Sequence, residues 1–115
     1  MPAATYNFLC EQGATLQKTL QYTNSAGAII DLTGATARMQ VRPEIDSATI
    51  IISLTIGNGR LTISEALGEI EILISATDTT ELAVGNYYYD LELVQGDFVT
   101  RLIEGRFYVK GEVTR

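Results

Sequence analysis

Apolar and polar positions alternate with a period of two along most of the chain, the pattern of strands with one buried face. Leu16, Leu20 and Tyr22 are apolar against Thr15, Gln17, Thr19 and Gln21. Ala35, Ala37, Met39 and Val41 alternate with Thr36, Arg38, Gln40 and Arg42. Ile50, Ile52, Leu54 and Ile56 continue the theme, with Ile51 out of phase. Leu61 and Ile63 predict a short strand, and Ile70, Ile72 and Ile74 alternate with Glu69, Glu71 and Leu73. In "GNYYYDLELV" the set Tyr87, Tyr89, Leu91, Leu93 opposes the set Tyr88, Asp90, Glu92, Val94. In the last long segment Val99, Ile103, Phe107 and Val109 share a phase, and "TYNFL" near the start predicts an edge strand.

Turn chemistry separates these runs. "NSAG" (24–27), "DLTG" (31–34), "GNG" (57–59), "ALG" (66–68) and "QGD" (95–97) supply the Gly, Asn and Asp that turns require. Pro43 ends a strand. The one helical candidate is "SATDTTEL" (75–82), where Thr77 or Asp78 would cap a short turn near residues 76–82. Several short strands spaced by turns predict an all-β fold. The expected form is an immunoglobulin-like antiparallel sandwich of about seven to nine strands, spanning residues 1–115 as a single domain. In such a sandwich Tyr87, just past "DTTEL", suits the tyrosine corner, its hydroxyl bonding back to the preceding turn. The strands around 35–42 and 86–94 would be sheet neighbours, with Arg38 and Arg42 facing Asp90 and Glu92 outside the core.

Composition narrows the chemistry. The chain has no histidine and one cysteine, Cys10. Ser/His/Asp and Cys/His catalysis within it are excluded, as are an internal disulfide and a cysteine-based zinc site. The net charge of −6 disfavours binding to a phosphate backbone, which needs clustered cations. No basic-then-apolar leader is visible, and the longest apolar runs are far shorter than a membrane span.

Asp90 and Glu92 point the same way, about 7 Å apart along a strand. They could contribute to a Ca²⁺ site, which needs further oxygen ligands from loops. The simpler expectation, for them and for Glu69 and Glu71, is an arginine on a neighbouring strand. Neither pair sits in a cleft of the kind glycoside hydrolysis needs. Lys18 interrupts an apolar face and reads as a strand-edge lysine that discourages edge pairing rather than a catalytic amine. Residues 57–59 read as a hairpin turn, since no P-loop lysine accompanies them. Cys10 reads as a small buried side chain. No cofactor, metal or catalytic residue is expected. Ile51, Phe98, Leu102 and Tyr108 break or oppose the core phase and are the candidate interface residues. Ile29 and Ile30, in a turn region, are further candidates.

The order "YTNSAGAIIDLTGATARMQVRP", "ISATDTTELAVGNYYYDLEL", "VTRLIEGRFYVKGEVTR" resembles a group of small bacteriophage virion proteins. Their immunoglobulin-like domain is similar to the N-terminal domain of phage baseplate upper proteins. The resemblance runs over about residues 13–115 and rests most on "DLTGATARMQVR", "YYYDLEL" and "RLIEG". Baseplate upper proteins carry long C-terminal extensions that hold receptor-binding subunits, whereas this sequence stops at Arg115. The resemblance therefore implies a non-enzymatic tail, baseplate, adaptor or decoration protein. It would be multicopy or homo-oligomeric, in contact with other virion proteins and with neither nucleic acid nor membrane. Its place would be the virion, assembled in the host bacterial cytoplasm. The alternative is a carbohydrate-binding module for a bacterial surface, with Tyr6, Tyr22, Tyr88 or Tyr108 stacking on sugar rings. An enzyme is the least favoured reading.

Overall fold

A computed structural model describes residues 3–113 of the chain. Among these described residues nine strands and one short helix follow in the order β1 (Ala4–Thr5), β2 (Phe8–Glu11), β3 (Leu16–Gln21), β4 (Thr36–Arg42), β5 (Ile52–Thr55), β6 (Leu61–Ser64), β7 (Glu69–Ile74), α1 (Ala76–Thr80), β8 (Gly85–Gln95) and β9 (Phe98–Lys110). They form two sheets. The larger runs β1-β9-β8-β4-β5, with β2 continuing β1 along β9, and the smaller runs β3-β7-β6. With β3, β6 and β7 on one layer and β4, β8 and β9 on the other, this is the strand distribution of an immunoglobulin-like sandwich.

The inward residues of both layers make the core. Met39, Val41, Leu54, Ile70, Ile72, Ile74, Leu91 and Phe107 are at most 1% exposed, and Leu32 joins them from the β3–β4 connection. Tyr87, Tyr89, Leu91 and Leu93 all point inward, as the alternation predicts. The Tyr87 hydroxyl donates to the Ala83 carbonyl at 2.7 Å, closing the expected corner between α1 and β8. The Tyr89 hydroxyl donates to the Tyr6 carbonyl, and its ring meets Phe8 edge-on at 5.0 Å.

Several expectations change in detail. The sandwich is not wholly antiparallel, because β1 and β2 run parallel to β9. The chain leaves β2 for the other sheet, so no hairpin constrains its direction. The two short strands are separated at Tyr6 and Asn7, where the Tyr6 carbonyl occupies the space a Cβ on Gly105 would need. Asn7 fills the gap in the ladder with its side chain, Oδ1 accepting from the Arg106 N–H at 3.0 Å. Ile50 and Ile56 are exposed and lie outside β5, while Ile52 and Leu54 are buried.

Val99 does not share the face of Ile103. The β8–β9 register moves from Leu91↔Ile103 to Glu92↔Arg101, so Leu102 is an extra residue that inverts the phase beyond it. Val99 is 50% exposed as a result. The cap of α1 is Ser75, whose hydroxyl accepts from the Asp78 N–H at 3.2 Å, rather than Thr77 or Asp78. Asp78 instead holds Arg60 through Nε at 3.1 Å and Nη2 at 3.0 Å. Thr79 is fully buried, accepting from the Gly13 N–H and donating to the Ala14 carbonyl. Lys18 sits on β3, the edge of the smaller sheet, half-buried, with Nζ 4.8 Å from the Tyr6 ring centre. An inward-leaning charge on an edge strand blunts pairing with other chains.

Removing the Tyr89 ring deletes a buried aromatic and a hydrogen bond, whereas Asp90 holds only a partly exposed ion pair. Tyr89→Ala should lower unfolding stability by about 3–5 kcal/mol, and Asp90→Ala by about 1 kcal/mol or less. Urea denaturation of both variants checks the order, and a near-neutral Tyr89→Ala would refute it.

Candidate functional site

The outer face of the larger sheet is where polar side chains concentrate. β8 lies between β4 and β9, so each of its outward residues has a neighbour on both sides. The registers set these residues in rows across the strands. Arg101, Glu92 and Arg38 form one row. Glu104, Asp90 and Gln40 form the next, and Thr5 extends it from β1. Arg106, Tyr88 and Arg42 form a third, and Tyr108 with Asn86 and Leu9 a fourth. Four of the eight cationic residues of the chain are here, beside three carboxylates, while the chain as a whole carries −6. The middle of this face is an open groove of about 790 Å³, with Ile45 and Tyr108 on its wall.

The rows behave differently. In the first, Arg38 Nε meets Glu92 Oε1 at 2.9 Å, as the sequence predicts. Arg101 spans two rows, with Nε 3.3 Å from Asp90 Oδ2 and Nη2 3.6 Å from Glu92 Oε2. These are exposed pairs, each contributing about 0.2–1 kcal/mol. The expectation that Arg42 also faces a carboxylate of β8 is not met, because the register sets Arg42 opposite Tyr88 and Asp90 opposite Gln40. Arg42 donates instead to the Gln40 side-chain carbonyl at 2.7 Å and to the Ser47 carbonyl. The Arg106 guanidinium lies over the Tyr88 ring, 4.9 Å from its centre. Among the described residues neither Arg42 nor Arg106 has a carboxylate at ion-pair distance.

Glu69 and Glu71 also depart from expectation. Their neighbours on β3 and β6 are Gln21, Ser64, Thr19 and Thr62, and Glu71 accepts from the Gln17 amide at 3.0 Å rather than from an arginine. Among the described residues no group of three or more His, Cys, Asp or Glu is placed to hold a metal ion. The groove presents guanidinium donors, carboxylate and amide acceptors, and tyrosine rings.

The candidate interface residues do not gather in one patch. Phe98 is 75% exposed, with Val99 beside it, at the β8–β9 hairpin end. Tyr108 is half-buried on the outer face near the opposite end of β8, in the groove wall. Ile51 and Leu102 are half-buried and pack against the core, so they are not outer-face residues. Ile51 follows the β4–β5 connection, and Leu102 is the bulge residue. Ile29 is exposed and Ile30 packs on the core. Of the four candidate stacking tyrosines, Tyr88 and Tyr108 line the groove. Tyr22 packs on the core, and Tyr6 lies between Lys18 and Phe8. The sequence reading did not pick out Arg101, Glu104 and Arg106; the alternation of Glu104, Arg106 and Tyr108 along β9 was a usable signal, whereas Arg101 reaches the same face only through the bulge at Leu102.

Electrostatics differ sharply between two aspartates. Burial, together with the nearby Glu92 and Glu104 charges, outweighs the pull of Arg101 and Arg42 and raises the Asp90 pKa. Hydrogen bonds from the Thr33 hydroxyl and N–H lower that of Asp31. The stabilising contribution of Asp90 is therefore complete below its unfolded pKa and is lost as pH rises through its folded value. That of Asp31 is present above its unfolded pKa and lost as pH falls through its folded value. A carbon-detected NMR titration should place the Asp90 midpoint above 3.8 and the Asp31 midpoint below it; the reverse order would contradict this electrostatic picture.

Cys10 is fully buried on β2, and burial, then the Glu11 charge, pushes its thiol pKa up to about 11. A disulfide reagent at pH 8 should leave it unmodified in the folded chain and react promptly once urea unfolds it. Rapid native-state labelling would show that β2 opens readily. Comparison with protein-family models and with curated proteins finds no match to this chain.

Proposed function

We propose that this protein is a non-enzymatic structural component of a bacteriophage particle, acting through contacts with other copies and with neighbouring virion proteins. The observation that carries the contact role is the β8–β9 hairpin end, where Phe98 is 75% and Val99 50% exposed. An aromatic displayed on a paired ladder costs little entropy to immobilise and makes a good anchor for a partner pocket. The assignment to a phage particle rests on the sequence resemblance alone. Light scattering of the purified chain should report self-association, and Phe98→Asp should reduce it. The same chain should capture virion proteins from disrupted particles. A monomer at tens of micromolar that captures none of them would overturn the proposal.

A second reading, carbohydrate binding, is favoured by the outer-face groove. Its volume of about 790 Å³ lies within the usual range for small-ligand sites. Tyr88, Tyr89 and Tyr108 line it, with several hydrogen-bonding side chains.

A further inference from the structure

The groove holds two guanidinium groups, Arg42 and Arg106, with no carboxylate at ion-pair distance among the described residues. Arg106 lies over the Tyr88 ring, its guanidinium carbon 4.9 Å from the ring centre, a cation–π contact that uses none of its N–H donors. Its guanidinium makes no hydrogen bond among the described residues; only its backbone N–H donates, to Asn7. Arg42, on the other side of Tyr88, is oriented by neutral acceptors, the Ser47 carbonyl and the Gln40 amide oxygen. The two arginines are thus positioned across two strand spacings, about 10 Å at the backbone. Side chains of that length can converge on one oxyanion.

The adjoining row has the opposite character. Gln40, Asp90 and Glu104 present an amide and two carboxylates to the same groove. Carboxylates accept hydrogen bonds from hydroxyl groups and repel other anions. A ligand that satisfies both rows carries one negative group and several hydroxyls within a ring or two.

We infer that the groove binds an acidic saccharide, its carboxylate received by Arg42 and Arg106 and its hydroxyls by Gln40, Asp90 and Glu104. This rests on the carbohydrate reading above and deepens it. An acidic peptide fits less well, because its successive carboxylates would meet Asp90 and Glu104. A peptide also gains its main-chain hydrogen bonds along a sheet edge rather than across a sheet face.

The test is calorimetric titration of the intact chain with four probes: a galacturonate trisaccharide, a hyaluronan tetrasaccharide, neutral maltotriose and hexaglutamate. Amide NMR shifts locate each site. At least one acidic saccharide should bind and shift the signals of Tyr88 and Arg106, and it should bind about tenfold more tightly than maltotriose. Arg42→Gln and Arg106→Gln should each weaken it by about tenfold, the scale of one lost charge-assisted contact. Arg38→Gln, outside the groove, should leave affinity unchanged. Thermal melts of all three variants establish that each folds. Equal binding of maltotriose and the acidic saccharides would overturn the acidic specificity while sparing the carbohydrate reading. Absence of any saccharide binding would overturn both. Tighter binding of hexaglutamate would assign the groove to an acidic protein segment and overturn the inference.

Discussion

The structure depends on a single strand being paired on both sides. β8 is hydrogen-bonded to β4 along one edge and to β9 along the other. Because successive side chains of a strand point to opposite faces, this one segment supplies core on its inner side and the centre of a polar surface on its outer side. Tyr87, Tyr89, Leu91 and Leu93 anchor the sandwich. Tyr88, Asp90 and Glu92 inherit fixed neighbours on two strands. The core and the polar outer face are therefore set by the same register, and a one-residue slip would exchange them.

Two local devices keep that register. The Tyr87 hydroxyl fastens the start of β8 to the turn before it. Near the other end the extra residue, Leu102, absorbs a mismatch between β8 and β9. Beyond the bulge the side chains of β9 change face, which is why the hairpin end shows Val99 to solvent. The exposed apolar hairpin end and the charged groove thus lie on one ladder but on opposite sides of an irregularity.

Much of this was legible in the sequence because period-two alternation is a direct imprint of burial. The strands, the inward tyrosines and the shared outer face of Arg38 and Glu92 follow from it, and the Tyr87 corner from the short helical turn that precedes it. What could not be read has physical reasons. A bulge is one added residue with no compositional mark, so the outward turn of Val99 was hidden. Alternation fixes which face a residue takes, not which residue stands opposite, so Arg42 was expected to face a carboxylate when the register gives it Tyr88. Glu69 and Glu71 were assigned arginine partners on the same ground, and the residues that stand opposite them are neutral. The groove needed three strands at once, and two of its arginines, Arg42 and Arg106, lie 64 residues apart. The cap at Ser75 was misplaced by two or three positions, a usual error at helix ends.

The parallel pairing of β2 with β9 has a mechanical consequence. The ladder runs Phe8↔Phe107 to Glu11↔Lys110, joining a segment near the start of the sequence to one near its end. Tension applied to the chain before β2 and after β9 pulls the two strands past each other along their length. The hydrogen bonds between them, continued by the Gln12 N–H to the Lys110 carbonyl at 3.0 Å, then share the load together. An antiparallel hairpin pulled from its open end surrenders its bonds one at a time. Resistance to force is governed by the barrier to unfolding rather than by equilibrium stability. This arrangement places that barrier where a load along the chain would first be felt.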